Sequence, residues 1–159
     1  MNRAMMQTLA LLLLIWSYPL AAEPSSVTLY ASSEDFESTK ENLTMAIMGE
    51  GLSVTNTLHI SEMLNRTGAD LGFPREVYLK AESLEFCSAQ ISHLMTQLDP
   101  LNLAICPFTL SIFIKTEQPE QVFVAHRMHQ LAGAEGDEKR RVTSAVNNLL
   151  SDIVKEALN

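Results

Sequence analysis

Phe108-Thr109-Leu110-Ser111-Ile112-Phe113-Ile114-Lys115, followed shortly by Gln121-Val122-Phe123-Val124-Ala125-His126-Arg127-Met128, is the most regularly patterned part of the chain. In its first half Phe108, Leu110, Ile112 and Ile114 alternate with Thr109, Ser111 and Lys115. A period of two puts every apolar side chain on one face of an extended backbone, so this segment is a strand with one greasy and one polar side. Gln118-Pro119-Glu120 reads as the turn into the second strand. The result is an antiparallel pair whose polar face is free to meet water.

A half-apolar sheet needs a cover, and the flanking sequence supplies one. After a loop over 131–136 with two glycines, Asp137 begins a helix on which Val142, Val146, Leu149, Leu150 and Ile153 trace a broad apolar stripe. Near the other end Val27–Tyr30 reads as a first strand, and Ser32-Ser33-Glu34-Asp35 offers caps and negative charge to a helix N-terminus. Phe36, Leu43, Ala46 and Ile47 then recur at helical spacing until Gly49 and Gly51 end the helix.

Leu52–Leu58 alternates, with Leu52, Val54 and Leu58 on one side and Ser53, Thr55 and Thr57 on the other. Ser61–Asn65 predicts a short helix and 68–74 is rich in turn residues. Val77–Phe86 is extended, with a change of phase around Ala81-Glu82-Ser83 that predicts a bulge. Ser88 caps a minor helix lined by Ile91, Leu94, Met95 and Leu98, which Asp99-Pro100 stops. The order is β-α-β-β-β-β-α. It predicts an α+β domain over 27–157, with an antiparallel sheet, two long helices on one face and a small helix between the third and fourth strands.

The first 22 residues belong to a different class. Arg3 is followed by the apolar run Leu9–Trp16, then Pro19 and Leu20-Ala21-Ala22, the three-part pattern of a cleaved secretory signal. The run is shorter than the ~20 apolar residues that a permanent span requires. The expectation is an exported protein with no stable membrane anchor once cleaved after Ala22. Loss of Arg3 leaves ten basic residues against 19 acidic ones, a balance of −9. That balance argues against nucleic-acid binding, which depends on clustered cations.

Cys87 and Cys106 are the two cysteines. They end the third strand and begin the fourth, so antiparallel pairing brings them together, and an oxidising compartment favours a disulfide. The sharper alternative is a thiol-redox pair, since Cys87 precedes a capped helix that would lower its pKa. Of the four histidines, His126 and His129 lie three apart on a strand and point to opposite faces, a spacing that does not chelate one ion. His93 falls off the apolar stripe of its helix, and His59 follows a strand. A metal or haem site built from His93 and Met95 is the alternative to a core methionine. Glu85 is a candidate ligand anchor or acid, against the plainer reading of a rim carboxylate. Ser83, Ser88 and Ser92 have no His-Asp partnership, so no catalytic residue is assigned, and neither a cofactor nor a metal is expected. Asn42-Leu43-Thr44 and Asn65-Arg66-Thr67 match the glycosylation pattern, and the first lies within a helix.

Ser83-Leu84-Glu85-Phe86-Cys87-Ser88-Ala89, Leu98-Asp99-Pro100 and Ile105-Cys106-Pro107-Phe108 together resemble the domain of unknown function 302 family, with the likeness extending over about residues 27–157. The resemblance implies a β-α-β(4)-α fold of the TATA-binding-protein type, often a homodimer, with no established activity and no catalytic residue to carry over. The functional expectation is therefore an exported, non-enzymatic module for a small ligand or a periplasmic protein partner. Its alternative is a periplasmic thiol-redox or metal/haem-binding protein. The polar sheet face, or the cleft beside the inserted helix, is the expected site.

Overall fold

The patterned hairpin forms as β4 (Phe108–Lys115) and β5 (Gln118–Arg127) in the computed structural model, which describes residues 26–159. The expected signal, residues 1–22, lies outside the described residues. The turn falls at Thr116 and Glu117, with Lys115 opposite Gln118, rather than at 118–120. Pro119 is accommodated because it falls in a bulge of β5: Gln118 lies opposite Lys115 and Val122 opposite Ile114, so residues 119–121 have no partner in β4, and β1 ends opposite Val122.

Around the hairpin the sheet is completed by β1 (Val27–Ser32), β2 (Val54–Leu58) and β3 (Tyr78–Phe86), in the order β1-β5-β4-β3-β2 with every pairing antiparallel. Two long helices, α1 (Phe36–Gly49) and α4 (Asp137–Ala157), pack against each other and over the apolar face. Leu43 and Ile47 of α1 and Val146, Leu150 and Ile153 of α4 are fully buried against Phe86, Phe108, Leu110, Ile112 and Val124. Each such side chain contributes about 1.5–3 kcal/mol by leaving water. No helix among the described residues is long and apolar enough to cross a membrane.

Local chemistry sets the helix ends. Asp35 Oδ1 accepts the Ser38 amide at 2.9 Å, capping α1. Gly51, at φ +72°, closes its far end in a conformation that a side chain would disfavour. Ser88 caps α3 (Ala89–Leu98) through the Ile91 amide, and Asp99 in turn caps a 3-10 helix over Pro100–Ile105. The short helix expected at 61–65 runs longer, as α2 (Ile60–Gly68). Its Ser61 hydroxyl bonds the Ala81 amide at 3.0 Å, taking over the edge of β3 where β2 has stopped.

Three expectations need correction. No register shift occurs at Ala81-Glu82-Ser83. The irregularities lie in β2 between Val54 and Asn56, in β3 between Tyr78 and Lys80, and in the β4–β5 pairing at Ile114 and Lys115. The apparent change of phase has another cause. Helix α2 buries the outer residues Ala81 and Ser83 while the core side takes Glu82 and Leu84, so all four are buried. The β2 bulge also moves Leu58 across the sheet. It pairs with Ser83 on the open face and is exposed, while Thr57 opposite Leu84 takes the inner side. Leu94 is exposed rather than part of the apolar seam of α3.

Candidate functional site

The sheet face away from α1 and α4 carries a trough that runs across the strands. In register, Leu29 of β1, Ala125 of β5, Ser111 of β4, Ser83 of β3 and Leu58 of β2 form one row. The three central members are small, so the row is low in the middle and high at its ends. Ser83 and Ser111 join hydroxyls at 2.8 Å, which satisfies the floor's polar atoms internally. The groove holds about 450 Å³, with Leu29 at one end and Ile60 of α2 at the other.

Its two long sides differ. On one, Phe113 stacks on Phe123 at a ring-centroid distance of 5.6 Å, and Tyr78 meets Phe113 edge-on. Lys115 lays its ammonium 4.3 Å above the Phe123 ring. On the other side the next row brings Arg127 and Glu85 to the same face. Glu85 is half-buried, and its carboxylate accepts from Asn56 Nδ2 at 3.0 Å. A second hollow of about 480 Å³ is enclosed by the end of α2 and the 68–78 loop, walled by Leu71 and Phe73. The two differ in support: the trough is floored by paired strands, whereas the hollow is formed largely by exposed loop side chains, and a rigid floor positions a ligand better.

The sequence candidates are distributed as follows. The sulfurs of Cys87 and Cys106 lie at bonding distance with their Cα atoms 6.0 Å apart, at the end of the β3–β4 ladder. Cys87 is exposed. His93 is exposed on α3 while Met95 of the same helix is fully buried in the core, so the two do not converge on one site. Among the described residues no group of three or more His, Cys, Asp or Glu side chains is arranged to hold a metal ion. Glu85 faces the open side, at the trough's polar flank, rather than the core.

The carboxylate that goes inward is Glu82. It is 7% exposed, with Lys40 Nζ 2.5 Å from Oε2 and His59 Nδ1 3.4 Å from Oε1. Burial pushes its pKa up. The hydrogen bond from Lys40, with the charges of Lys40, His59 and Lys80, outweighs burial and holds the group below its ordinary value. Alternation within Lys80-Ala81-Glu82 was the available signal, since Glu82 shares its parity with Leu84 and Phe86.

His126 is buried beneath α4. Its Nδ1 lies 3.1 Å from the Arg127 carbonyl, which places the hydrogen on Nδ1 and leaves Nε2 to accept from Tyr30 and Ser151, each at 3.4 Å. Burial depresses its pKa, and that of His129, where the charges of Arg127 and His126 add to the effect. The Ser151–His126 contact has no carboxylate behind the imidazole. Being enclosed, it gives a substrate no route to the nitrogen. The trough floor carries only the mutually bonded serines and Ala125, with no base to activate a hydroxyl.

Two buried asparagines, which the sequence reading did not single out, pin the loop before α4. Asn102 donates to the carbonyls of Met95 and Ala132 and accepts the Ala132 amide, while Asn147 accepts the His129 amide and donates to its carbonyl.

No curated protein matches this sequence. The crystal structure of an uncharacterized DUF302 protein from Bacillus stearothermophilus superposes with a TM-score of 0.66 at 13% identity, covering 83% of this chain and 98% of that one. That likeness establishes a shared fold. The family model described as "Domain of unknown function DUF302" matches residues 29–157, from the middle of β1 to the last turn of α4. Spanning the whole sheet and both covering helices, that match places the chain in the DUF302 family.

Proposed function

We propose that this protein is an exported, non-enzymatic binding module and that the trough across the open sheet face receives a small ligand. The observation that carries this reading is the row of small residues, Ala125, Ser111 and Ser83, set between larger ends on a rigid floor. Open sheet faces are usually covered by polar or mid-sized side chains. Here a concave, partly aromatic surface of ligand size is left. The floor's hydroxyls are satisfied by each other, which suits holding a molecule rather than reacting with it. Export rests on the leader pattern of residues 1–22.

The test is groove filling. Ser111→Phe places a ring over the floor, where Ser111 is half-exposed and a larger side chain has room. In a metabolite panel read by thermal shift and amide NMR, hits should perturb Ser83, Ser111 and Ala125 and disappear in the variant. The variant should stay folded and lose only the ~1–3 kcal/mol expected of leaving the Ser83 hydroxyl without its partner. Hits that survive in the variant would remove the trough from consideration.

A second reading, thiol–disulfide exchange, is favoured by the exposure of Cys87 immediately before the capped N-terminus of α3. A redox titration against glutathione separates the two. A structural bridge resists that buffer, whereas an exchanging pair equilibrates within its range.

A further inference from the structure

The described residues include ten lysine and arginine side chains. The basic run Lys139-Arg140-Arg141 is taken up by Glu135, Asp137 and Glu138, and Lys40, Arg75, Lys80 and Lys155 also have carboxylate partners, none of the seven pairs longer than 3.9 Å. Three cations remain without one among the described residues: Arg66, Lys115 and Arg127. In a chain with 19 acidic residues a cation readily finds a carboxylate, yet two of these three stand on the open sheet face, one on each side of the trough.

Their placement is graded. Arg127 is exposed and lies two residues along β5 from the floor residue Ala125, or about 7 Å. Lys115 lies four residues along β4 from Ser111, about 13 Å away, and rests on the aromatic wall. Glu85 shares the row of Arg127 two strands away, about 10 Å, with its charge engaged by Asn56. Arg127 borders an adjoining hollow with Thr109 and His129, one row from the trough floor, so its guanidinium is within a side chain's length of a molecule bound in the trough. The aromatic wall lies across the trough from it, and a carboxylate limits how much negative charge the polar flank accepts.

From this arrangement we infer that the ligand is a small organic monoanion, an aryl or short-chain carboxylate whose apolar body lies along Phe113 and the Ala125–Ser111–Ser83 floor while its carboxylate meets Arg127. A guanidinium donates two parallel hydrogen bonds to a carboxylate, which gives the trough a polarity as well as a shape. Polyphosphates and other multiply charged ligands do not fit one guanidinium beside Glu85. The inference rests on the trough being the binding site, and the test keeps the two apart.

The purified protein is titrated with 4-phenylbutyrate and, separately, with its neutral amide, following backbone amides by NMR. The acid should shift Ser83, Ser111, Ala125 and Arg127 saturably and bind about tenfold more tightly than the amide, the difference expected of one charge-assisted contact. Arg127→Gln should bring the acid down to the amide's affinity and leave the amide unchanged. Because Arg127 is exposed and holds no carboxylate, this variant should fold normally. Equal affinities of acid and amide overturn the anion class while leaving the trough as a site. Failure of both probes to shift the floor overturns both readings. If instead the same amides broaden with protein concentration and light scattering reports a dimer, a second copy covers the face and the small-anion inference fails.

Discussion

Lysine 40 holds a buried carboxylate in its charged form, and removing it should leave a clear thermodynamic signature. Substituting Lys40→Met keeps the aliphatic stem on α1 but strands Glu82, whose side chain is only 8% exposed. Breaking a fully buried pair by removing one partner costs about 3–5 kcal/mol. Here the Lys40 side chain is 28% exposed, and His59, more exposed still, stays near the other carboxylate oxygen, so water and imidazole recover part of that. A loss of about 2 kcal/mol at pH 7 follows, which for a domain of this size is roughly 8 °C in melting temperature.

The pH dependence is the sharper signature. In the native protein the Glu82 pKa lies below the ordinary value of 4.5. Its contribution is therefore full above that value and is lost as pH falls through the folded pKa. In the variant, burial acts without Lys40 and the folded pKa rises, so acidification protonates Glu82 and relieves the penalty. The difference between the two proteins should shrink as pH falls below the ordinary value of 4.5 and vanish once the native carboxylate is itself protonated. Urea unfolding at a series of pH values measures it, with Arg75→Gln as the control because Arg75 and Glu117 form a fully surface pair worth under ~1 kcal/mol. A Lys40→Met deficit no larger than the control's, or one unchanged as pH falls below 4.5, would refute the reasoning.

Other perturbations follow from the same packing. Replacing Cys87 and Cys106 together by serine opens a loop of about 20 residues and should cost about 3 kcal/mol by the chain-entropy relation, read from urea midpoints with and without reductant; equal midpoints would mean the pair is not bridged in the native protein. Asn102→Ala removes three bonds to the backbone of Met95 and Ala132 and should cost roughly 2–4 kcal/mol. Faster hydrogen exchange at the Ala132 amide would locate that loss in the loop before α4. His126 and His129 both have folded pKa values below the ordinary 6.5, so the unfolded chain takes up more protons as pH falls through that value and stability drops. His126→Gln should remove part of that slope below about pH 6.5, and an unchanged slope would show that His126 does not contribute to it.

Period-two alternation made β4 legible because its two sides meet different environments, core and open face. It misled at β3, where Ala81 and Ser83 are small enough to lie under α2 and therefore read like core. It misled again at β2, because the bulge between Val54 and Asn56 reverses the parity of everything after it, Leu58 included. The turn was misplaced for a related reason. Pro119 signals a break in a central strand but is harmless in a bulge, where no ladder hydrogen bond is asked of its nitrogen, and whether a bulge forms depends on how β4 and β5 pair. Glu85 is the carboxylate that the sequence puts forward as an anchor or acid, whereas Glu82, read there only within a change of phase, is the one whose parity with Leu84 points inward.

By itself the sequence determined what local rules govern: which segments are helix or strand, the caps Asp35 and Ser88, the apolar faces of α1 and α4, the approach of Cys87 to Cys106, and the resemblance carried by three short stretches. These follow from spacing and side-chain type, and need only neighbours along the chain. The tertiary structure alone decided that β1 inserts beside β5, that Leu29, Ala125, Ser111, Ser83 and Leu58 come into one row, and that Arg127 and Lys115 have no carboxylate partner among the described residues. Those facts depend on register between residues 14 to 96 positions apart in the chain. Register is set by the packing of the whole sheet against its helices, which no single stretch of the chain encodes.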